Sequence, residues 1–244
     1  MVNKGDVIRE GLIIRVTEMK ERDAMARAIG PDGFFSFYAY GVKKLGSSNA
    51  SAVQLLSHGE YVLHERSEDF LALKEASPRA LYLPSENLSA MVIASLLVEL
   101  SNVFVQEDEA PKAYPWILGA LKTMKESGDA FTPGLICFAH LLALGGIGLD
   151  LDECVICGSK SKIEGISFED GGFVCPDCFE SDRMEKPSRD VLKMYRYIFK
   201  APLSDYGRVR FEETACLPLY MRLGAYLEAM TGIKLRALEL LRKA

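Results

Sequence analysis

Hydrophobic and polar positions alternate through the first third of the chain, and after that the apolar positions recur at helical spacing. Runs at Val7 to Thr17, Ala24 to Gly30, Gly33 to Gly41, Gly59 to Arg66 and Phe70 to Ala76 read as β-strands. "GPDG" at Gly30 to Gly33 predicts a tight turn between the second and third runs. A short helical segment is expected at Ala50 to Ser57, between the third and fourth. Five strands with a helix before the fourth is the layout of an OB-fold, a small barrel that often binds single strands or oligosaccharides.

After "LYLP" at Leu81 to Pro84 the pattern becomes helical. Helices are expected at Leu88 to Val105, at Lys112 to Lys125 behind Pro111, and at Leu135 to Leu144 behind a Thr132 cap and Pro133. "GGIG" at Gly145 to Gly148 stops the third. Further on, Ser188 caps a helix running to Lys200, a longer one runs from about Leu217 to Thr231 and ends at Gly232, and an amphipathic stretch covers Lys234 to Arg242. The expected architecture is α+β. An N-terminal five-stranded OB-fold barrel occupies 1–80. A helical domain follows in two parts, 81–150 and 183–244, with a zinc-binding module at 151–182 inserted between them.

That module rests on Cys154 and Cys157 in "CVIC" and Cys175 and Cys178 in "CPDC", with 17 residues between the pairs. Two C-x₂-C turns facing each other suit one tetrahedral Zn²⁺, and four thiolates leave no open position for water, so the metal is structural. The competing reading is redox chemistry or a disulfide, but a thioredoxin-like C-x-x-C opens a helix and needs no twin. A segment of this size buries too little apolar surface to order itself alone. A zinc tetrad supplies on the order of 10–16 kcal/mol of apparent binding free energy in small fingers.

The net charge is −5 over 244 residues, not the balance of a strong nucleic-acid binder. Its distribution localises the acidity: residues 1–84 carry 11 basic and 11 acidic side chains, 85–150 carry 3 and 8, and 151–244 carry 15 and 15. Contact with phosphates must therefore come from patches on the outer thirds. The opening stretch lacks the apolar run of a signal peptide, and Cys137 and Cys216 sit in apolar contexts as free thiols, so a cytoplasmic location is expected. No phosphate-binding loop or nucleophile motif is present in the sequence. His58, His64 and His140 are scattered, with His140 expected as a core histidine making one hydrogen bond. Asp150, Asp152 and Glu153 read as an exposed acidic turn.

Several stretches together resemble the bacterial recombination-mediator family RecO. They are "GLIIRVTEMKERDAMARAIGPDGFFSFYAYGVKK" from Gly11, "LLSHGEYVLHERSEDFLALKEA" from Leu55, "LGGIGLDLDECVICG" from Leu144 and "RLGAYLEAMTGIKLRALELL" from Arg222. The resemblance implies a protein without bond chemistry that binds single- and double-stranded DNA and anneals complementary strands. It also implies association with RecR and with the C-terminal tail of single-strand-binding protein, helping a RecA-type recombinase load at the nucleoid. Metal in that family is structural where the cysteines are present. Members often carry several basic residues after the glycine that ends the third strand, whereas here only Lys43 and Lys44 follow Gly41.

Candidate contacts follow from the pattern. Alternation in the third strand sends Phe35, Phe37 and Ala39 inward, leaving Phe34, Tyr38 and Tyr40 as an outward aromatic row beside Lys43 and Lys44. Aromatic faces next to cations suit single strands, or the same rings simply pack and stabilise the sheet. Arg15 and Arg27, with Arg9, are further candidates for phosphates. Arg189, Lys193, Arg196 and Lys200 step along one face of a helix whose other side carries Val191, Tyr195, Ile198 and Phe199. That stripe is the ordinary wet face of a packed helix or a contact for DNA or an acidic partner segment; the resemblance places the single-strand-binding tail on the helical region. The alternative function is a zinc-ribbon adaptor that binds only protein.

Overall fold

The computed structural model describes residues 5–67, 70–84 and 87–243; the first four residues of the chain, part of the expected barrel domain, lie outside them. Five strands, β1 (Asp6–Lys20), β2 (Asp23–Gly30), β3 (Gly33–Ala39), β4 (Ser57–Ser67) and β5 (Phe70–Leu81), close into a barrel in the order β1-β2-β3-β5-β4. The long β1 pairs with β4 through its first half and with β2 through its second, and β3 meets β5 in parallel. This is the OB-fold connectivity. Gly30 and Gly33 pair across the β2–β3 turn, and the positive φ of Gly33, 114°, is one that side-chain-bearing residues rarely adopt. Inside, Phe37, Tyr61, Leu63, Ile13 and the alanines of β2 form the core, with Phe35 packed against it.

No helix forms at Ala50 to Ser57, contrary to expectation. The chain there runs through successive turns: Ala50 N–H donates to Ser47 O and Ala52 N–H to Asn49 O (both 3.2 Å), and Leu56 takes φ 64°. Asn49 Oδ1 accepts from Ala76 N–H of β5 (3.1 Å), and Leu56 N–H donates to Ile13 O (2.9 Å). Those ties to neighbouring strands hold the segment flat against the barrel, and Ala52, Val53 and Leu56 are buried as it crosses. Apolar spacing alone did not distinguish that path from a helix.

Among the described residues six α-helices follow: α1 (Leu88–Val103), α2 (Ala110–Ser127), α3 (Phe131–Leu144), α4 (Arg189–Lys200), α5 (Glu213–Thr231) and α6 (Arg236–Leu241). The apolar α3 is central, packed against α1, α2, α4 and α5. Gly134 lets α3 approach its neighbours closely; a Cβ there would strike Ile93 and the Tyr220 hydroxyl. The start of α3 differs from expectation. Asp129 Oδ1, not Thr132, accepts from the buried N–H groups that open the first turn, those of Phe131 (3.0 Å) and Thr132 (3.3 Å). Thr132 lies within the helix, and its Oγ1 accepts from Phe211 N–H (2.9 Å). Ser188 caps α4 through Val191 N–H (3.3 Å), and Gly232 ends α5 with φ 75°.

Barrel and helices share one core. Leu12, Ile14, Ile29 and Leu56 belong to the same buried cluster as the helical interior. A polar joint lies beside it. Tyr114 of α2 donates to Glu10 Oε1 (3.0 Å), and His58 Nε2 lies 2.9 Å from the same tyrosine oxygen. With the tyrosine proton committed to Glu10, the histidine nitrogen is the donor. Arg79 closes the network on Glu10 (2.8 Å) and Glu60 (3.1 Å). Between α3 and α4 a short hairpin, β6 (Gly165–Ser167) and β7 (Gly172–Val174), carries the cysteine turns. Its Leu151, Ile166, Phe168 and Phe173 belong to the helical core. Among the described residues no helix is long and apolar enough to cross a membrane.

Candidate metal centre and nucleic-acid interface

Each cysteine turn is shaped by its own backbone. Cys154 N–H donates to Ser159 O and Gly158 N–H returns to Cys154 O (both 2.8 Å), with Gly158 at φ 73°. Val155 N–H bonds Phe173 O (2.9 Å), stitching the first turn to β7. Pro176 and Asp177 form a single helical turn that brings Cys178 back over Cys175. The four sulfurs of Cys154, Cys157, Cys175 and Cys178 lie within 4.8 Å of one another. A tetrahedral Zn²⁺ with bonds of about 2.3 Å requires sulfur–sulfur edges of about 3.8 Å; the Cys157 and Cys175 sulfurs are 3.7 Å apart. That spacing fits a shared metal, and all four thiols are unbonded to one another. A disulfide needs about 2.05 Å.

The thiols do not ionise alike. Burial opposes ionisation of Cys154, but the backbone N–H groups of Cys175, Cys157 and Ile156 outweigh it and bring this thiol down to about 6. Contact with Cys157, together with burial, pushes Cys178 up to about 12. One thiolate thus forms readily and discourages the next, so complete deprotonation requires a cation at the centre. The residues present fit a structural metal site.

The second site lies at the rim of the barrel. The register Ala24↔Ala39, Tyr38↔Ala72 and Asp6↔His64 brings the β2 start, the β3 end, the β5 start and the paired ends of β1 and β4 together there. Outside the barrel Tyr38, Tyr40 and Phe70 form an aromatic cluster, with ring centroids 4.4 Å apart for Tyr38–Tyr40 and 6.0 Å for Tyr38–Phe70. Tyr38 is buried at its base, donating to Asp23 Oδ2 (2.9 Å), whereas Tyr40 is 51% exposed. Arg66 lies over the Tyr40 ring, 5.1 Å from its centroid. Next to them the shielded Asp6 carboxylate holds His64 Nδ1 and Lys74 Nζ, both at 2.8 Å. Tyr40, His64, Arg66 and Lys74 line one shallow cleft of about 330 Å³.

The structure distributes the expected contact residues unequally. Lys43 and Lys44 are exposed on the loop after β3, and Lys43 pairs with Glu18. Arg15 is exposed, facing Arg27 across the β1–β2 pair. Phe34 leaves the proposed aromatic row: it packs against the helical core, with the Arg27 guanidinium 4.3 Å from its ring centroid. Arg27 in turn reaches Glu107 at 3.0 Å, in the connection between α1 and α2. Both residues therefore serve the joint between barrel and helices. Arg66, Lys74 and His64 were missed because their partners Tyr40 and Asp6 are distant in sequence. The only sequence signal was basic or histidine side chains on the outward positions of β4 and β5.

On α4, Arg189, Lys193, Arg196 and Lys200 are all exposed, above a buried face of Leu192, Tyr195, Ile198 and Phe199. Lys200 (2.7 Å) and Arg196 (3.6 Å) converge on Asp152, whose carboxyl they hold below its usual range, and Lys193 bonds Asp190 (3.0 Å). His140 is half-buried rather than in the core and makes the expected hydrogen bond: Nε2 lies 2.8 Å from Ala201 O and the ring stacks on Trp116 at 3.6 Å.

Barrel, helical body and cysteine-clamped hairpin together define a class: an OB-fold barrel joined to a helical body that carries a cysteine cluster compatible with a structural metal. The chain matches the family description "Recombination protein O N terminal" over residues 5–82 and "Recombination protein O C terminal" over residues 85–239. It belongs to the RecO family. It is 24% identical over 245 residues to a protein of Bacillus cereus (strain AH187) named DNA repair protein RecO, the match covering 96% of each chain. A Bacillus anthracis protein of the same name matches equally, and one of B. cereus (strain B4264) is 25% identical over the same span. Family membership assigns the chain a role in DNA repair.

Proposed function

We propose that this protein is a non-catalytic mediator of recombinational repair that holds single-stranded DNA at the barrel rim while its helical body engages partner proteins. The observation that carries this reading is the exposed Tyr40 ring under the Arg66 guanidinium. A base stacks on such a ring, and adjacent cations meet the flanking phosphates. Lys74, Lys43, Lys44 and the exposed Arg15 extend the cationic surface, with His64 beside them as a hydrogen-bonding group. Duplex DNA is bound through the same backbone contacts, which supports annealing by holding two strands close together. Zn²⁺, one per chain, is held by Cys154, Cys157, Cys175 and Cys178 and supplies only rigidity. The α4 stripe, Arg189, Lys193, Arg196 and Lys200, is the surface for the acidic tail of single-strand-binding protein, and RecR is the second partner. The protein acts in the cytoplasm at the nucleoid.

Fluorescence anisotropy with a labelled single strand across a salt series, with and without RecR, tests this reading. Affinity should fall linearly on a log–log plot with a slope set by the phosphates neutralised, and salt-independent binding would refute it. A second reading, a protein-only adaptor, draws on the engagement of Lys43 by Glu18 and Lys74 by Asp6. It predicts no strand binding at any salt concentration, with RecR binding retained.

A further inference from the structure

We infer that Leu45 is an apolar wedge that enters the base stack at a junction between paired and unpaired DNA. This rests on the proposal that the barrel rim binds DNA, and it adds a distinct action, local unstacking, to the residues that merely hold the strand.

The inference starts from an oddity of placement. Leu45 is fully exposed, the most exposed large apolar side chain among the described residues. It buries nothing and stabilises nothing in the fold. A single exposed leucine is ordinary on a protein surface, but this one is held in a built position. Gly41 (φ 59°) and Gly46 (φ 80°) bracket the loop with backbone conformations that side-chain-bearing residues rarely adopt. Between them Lys44 N–H donates to Gly41 O, Ser47 N–H to Lys44 O (both 3.0 Å), and Lys43 N–H reaches Arg22 O of the β1–β2 turn (3.1 Å). Asp23 fixes the start of the loop through Gly41 N–H (2.7 Å) and also holds the Tyr38 hydroxyl (2.9 Å). The tip is therefore tied to the same carboxylate that orients the base of the aromatic cluster.

The charge around the tip selects the occupant. Arg22, Lys43 and Lys44 surround Leu45 on one side of a shallow depression, with Glu21 the acidic residue there. Glu18, which faces Lys43 from β1, is neutralised by that pairing. Among the described residues Arg22 and Lys44 make no ion pair. An apolar point among cations is poorly placed for a protein's dry pocket, which would have to desolvate the charges. It suits a polyanion with an apolar interior, which is what a DNA stack is. Apolar side chains flanked by basic ones unstack and kink base steps in this way, at a cost of a few kcal/mol per step that phosphate contacts offset. That cost is least where pairing already ends, so the favoured target is the junction between duplex and single strand. Bases released there would meet Tyr40 on the same rim.

The test uses the full-length, zinc-loaded protein and a forked DNA with 2-aminopurine at the last paired position. Binding is read by anisotropy and unstacking by 2-aminopurine fluorescence. The wild type is expected to raise the fluorescence about threefold or more. Leu45→Ala should lose most of that rise with affinity changed less than about threefold, and Leu45→Phe should keep it. Because the side chain is fully exposed, these variants fold as the wild type does. Lys44→Glu should weaken binding itself. Equal fluorescence from Leu45→Ala and wild type at saturation would overturn the wedge while leaving strand binding intact, as would saturated binding without any rise. Absence of DNA binding by the wild type would overturn both readings.

Discussion

Arg27 of the barrel reaches Glu107 of the helical body at 3.0 Å, across 80 positions of sequence, while its guanidinium lies over Phe34. A residue whose type and strand suggested a phosphate contact forms a partly exposed ion pair between barrel and helices. Arg27→Ala is expected to cost about 1 kcal/mol, combining a partly exposed ion pair and a cation–π contact. In a chain of this size that lowers the melting midpoint by about 2–4 °C. Affinity for single strands should stay within about twofold. A loss of affinity without a loss of stability would return Arg27 to the binding surface.

Tyr38 and Tyr40 touch one another but should respond oppositely to truncation. Tyr40→Ala removes an exposed ring, so stability should hold while single-strand affinity drops about five- to a hundredfold, the range expected for one lost stacking contact. Tyr38→Ala removes a buried ring and its bond to Asp23, and should destabilise the barrel by about 3 kcal/mol. Chemical denaturation alongside anisotropy measures both. Tyr40→Ala with wild-type affinity would exclude stacking at this rim.

The metal centre predicts its own pH dependence. Ligand thiols must lose protons to bind Zn²⁺, and contact with its neighbours pushes Cys178 up to about 12. Acid therefore returns protons to the sulfurs and expels the metal, with affinity falling about tenfold or more per pH unit below neutrality. Elemental analysis should find one zinc per chain in non-chelating buffer. Cys175→Ser or chelation should abolish hydrogen-exchange protection across residues 151–182 while the barrel amides remain protected. Far less than one zinc per purified chain would defeat this account.

His140 provides a separate pH signature. Burial against Trp116 outweighs its bond to Ala201 O and brings its pKa down to about 4, below the usual value of 6.5. The unfolded chain then takes up a proton that the folded one refuses. Stability is complete above about pH 6.5 and declines as pH falls toward 4. The loss is roughly 2 kcal/mol once partial solvent access to the ring is allowed for. Burial also lowers His58, which adds to the same slope. His140→Phe keeps the stack on Trp116 and should flatten the pH dependence of the melting midpoint between 6.5 and 5. An unchanged slope would assign the titration elsewhere.

Asp152, just before the first cysteine turn, engages both Lys200 and Arg196 of α4. Asp152→Asn should release both cations and strengthen binding of an acidic peptide about two- to fivefold, with double charge reversal at Lys193 and Arg196 weakening it. Isothermal titration with a synthetic tail peptide measures this, and indifference to both changes would place the tail elsewhere.

The sequence carried the strands, the helices and the cysteine centre because each has a local signature: alternation, helical spacing and paired C-x₂-C turns. What it did not carry depended on chain path. Ala50 to Ser57 has helix-compatible spacing, yet the ties from Asn49 to Ala76 and from Leu56 to Ile13 flatten it. Asp129 supplanted Thr132 as the cap because both sit just before the same apolar run. Phe34 and Tyr38 alternate identically within β3, but only the barrel's orientation on the helices shows that the first is covered by them. The grouping of Asp6, Tyr40, His64, Arg66 and Lys74 required closure of the sheet, which no local pattern reports.

Leu12, Ile14, Ile29 and Leu56 lie in the helical core rather than the barrel's own. The drum is thus keyed into the body and cannot swivel independently of it. On the proposed reading, a nucleic acid gripped at the rim and a protein docked on α4 would be presented at a constant offset and angle, as in a jig. Delivery from one to the other would then depend on the bound molecules bending toward each other, not on an arm within this chain swinging between them.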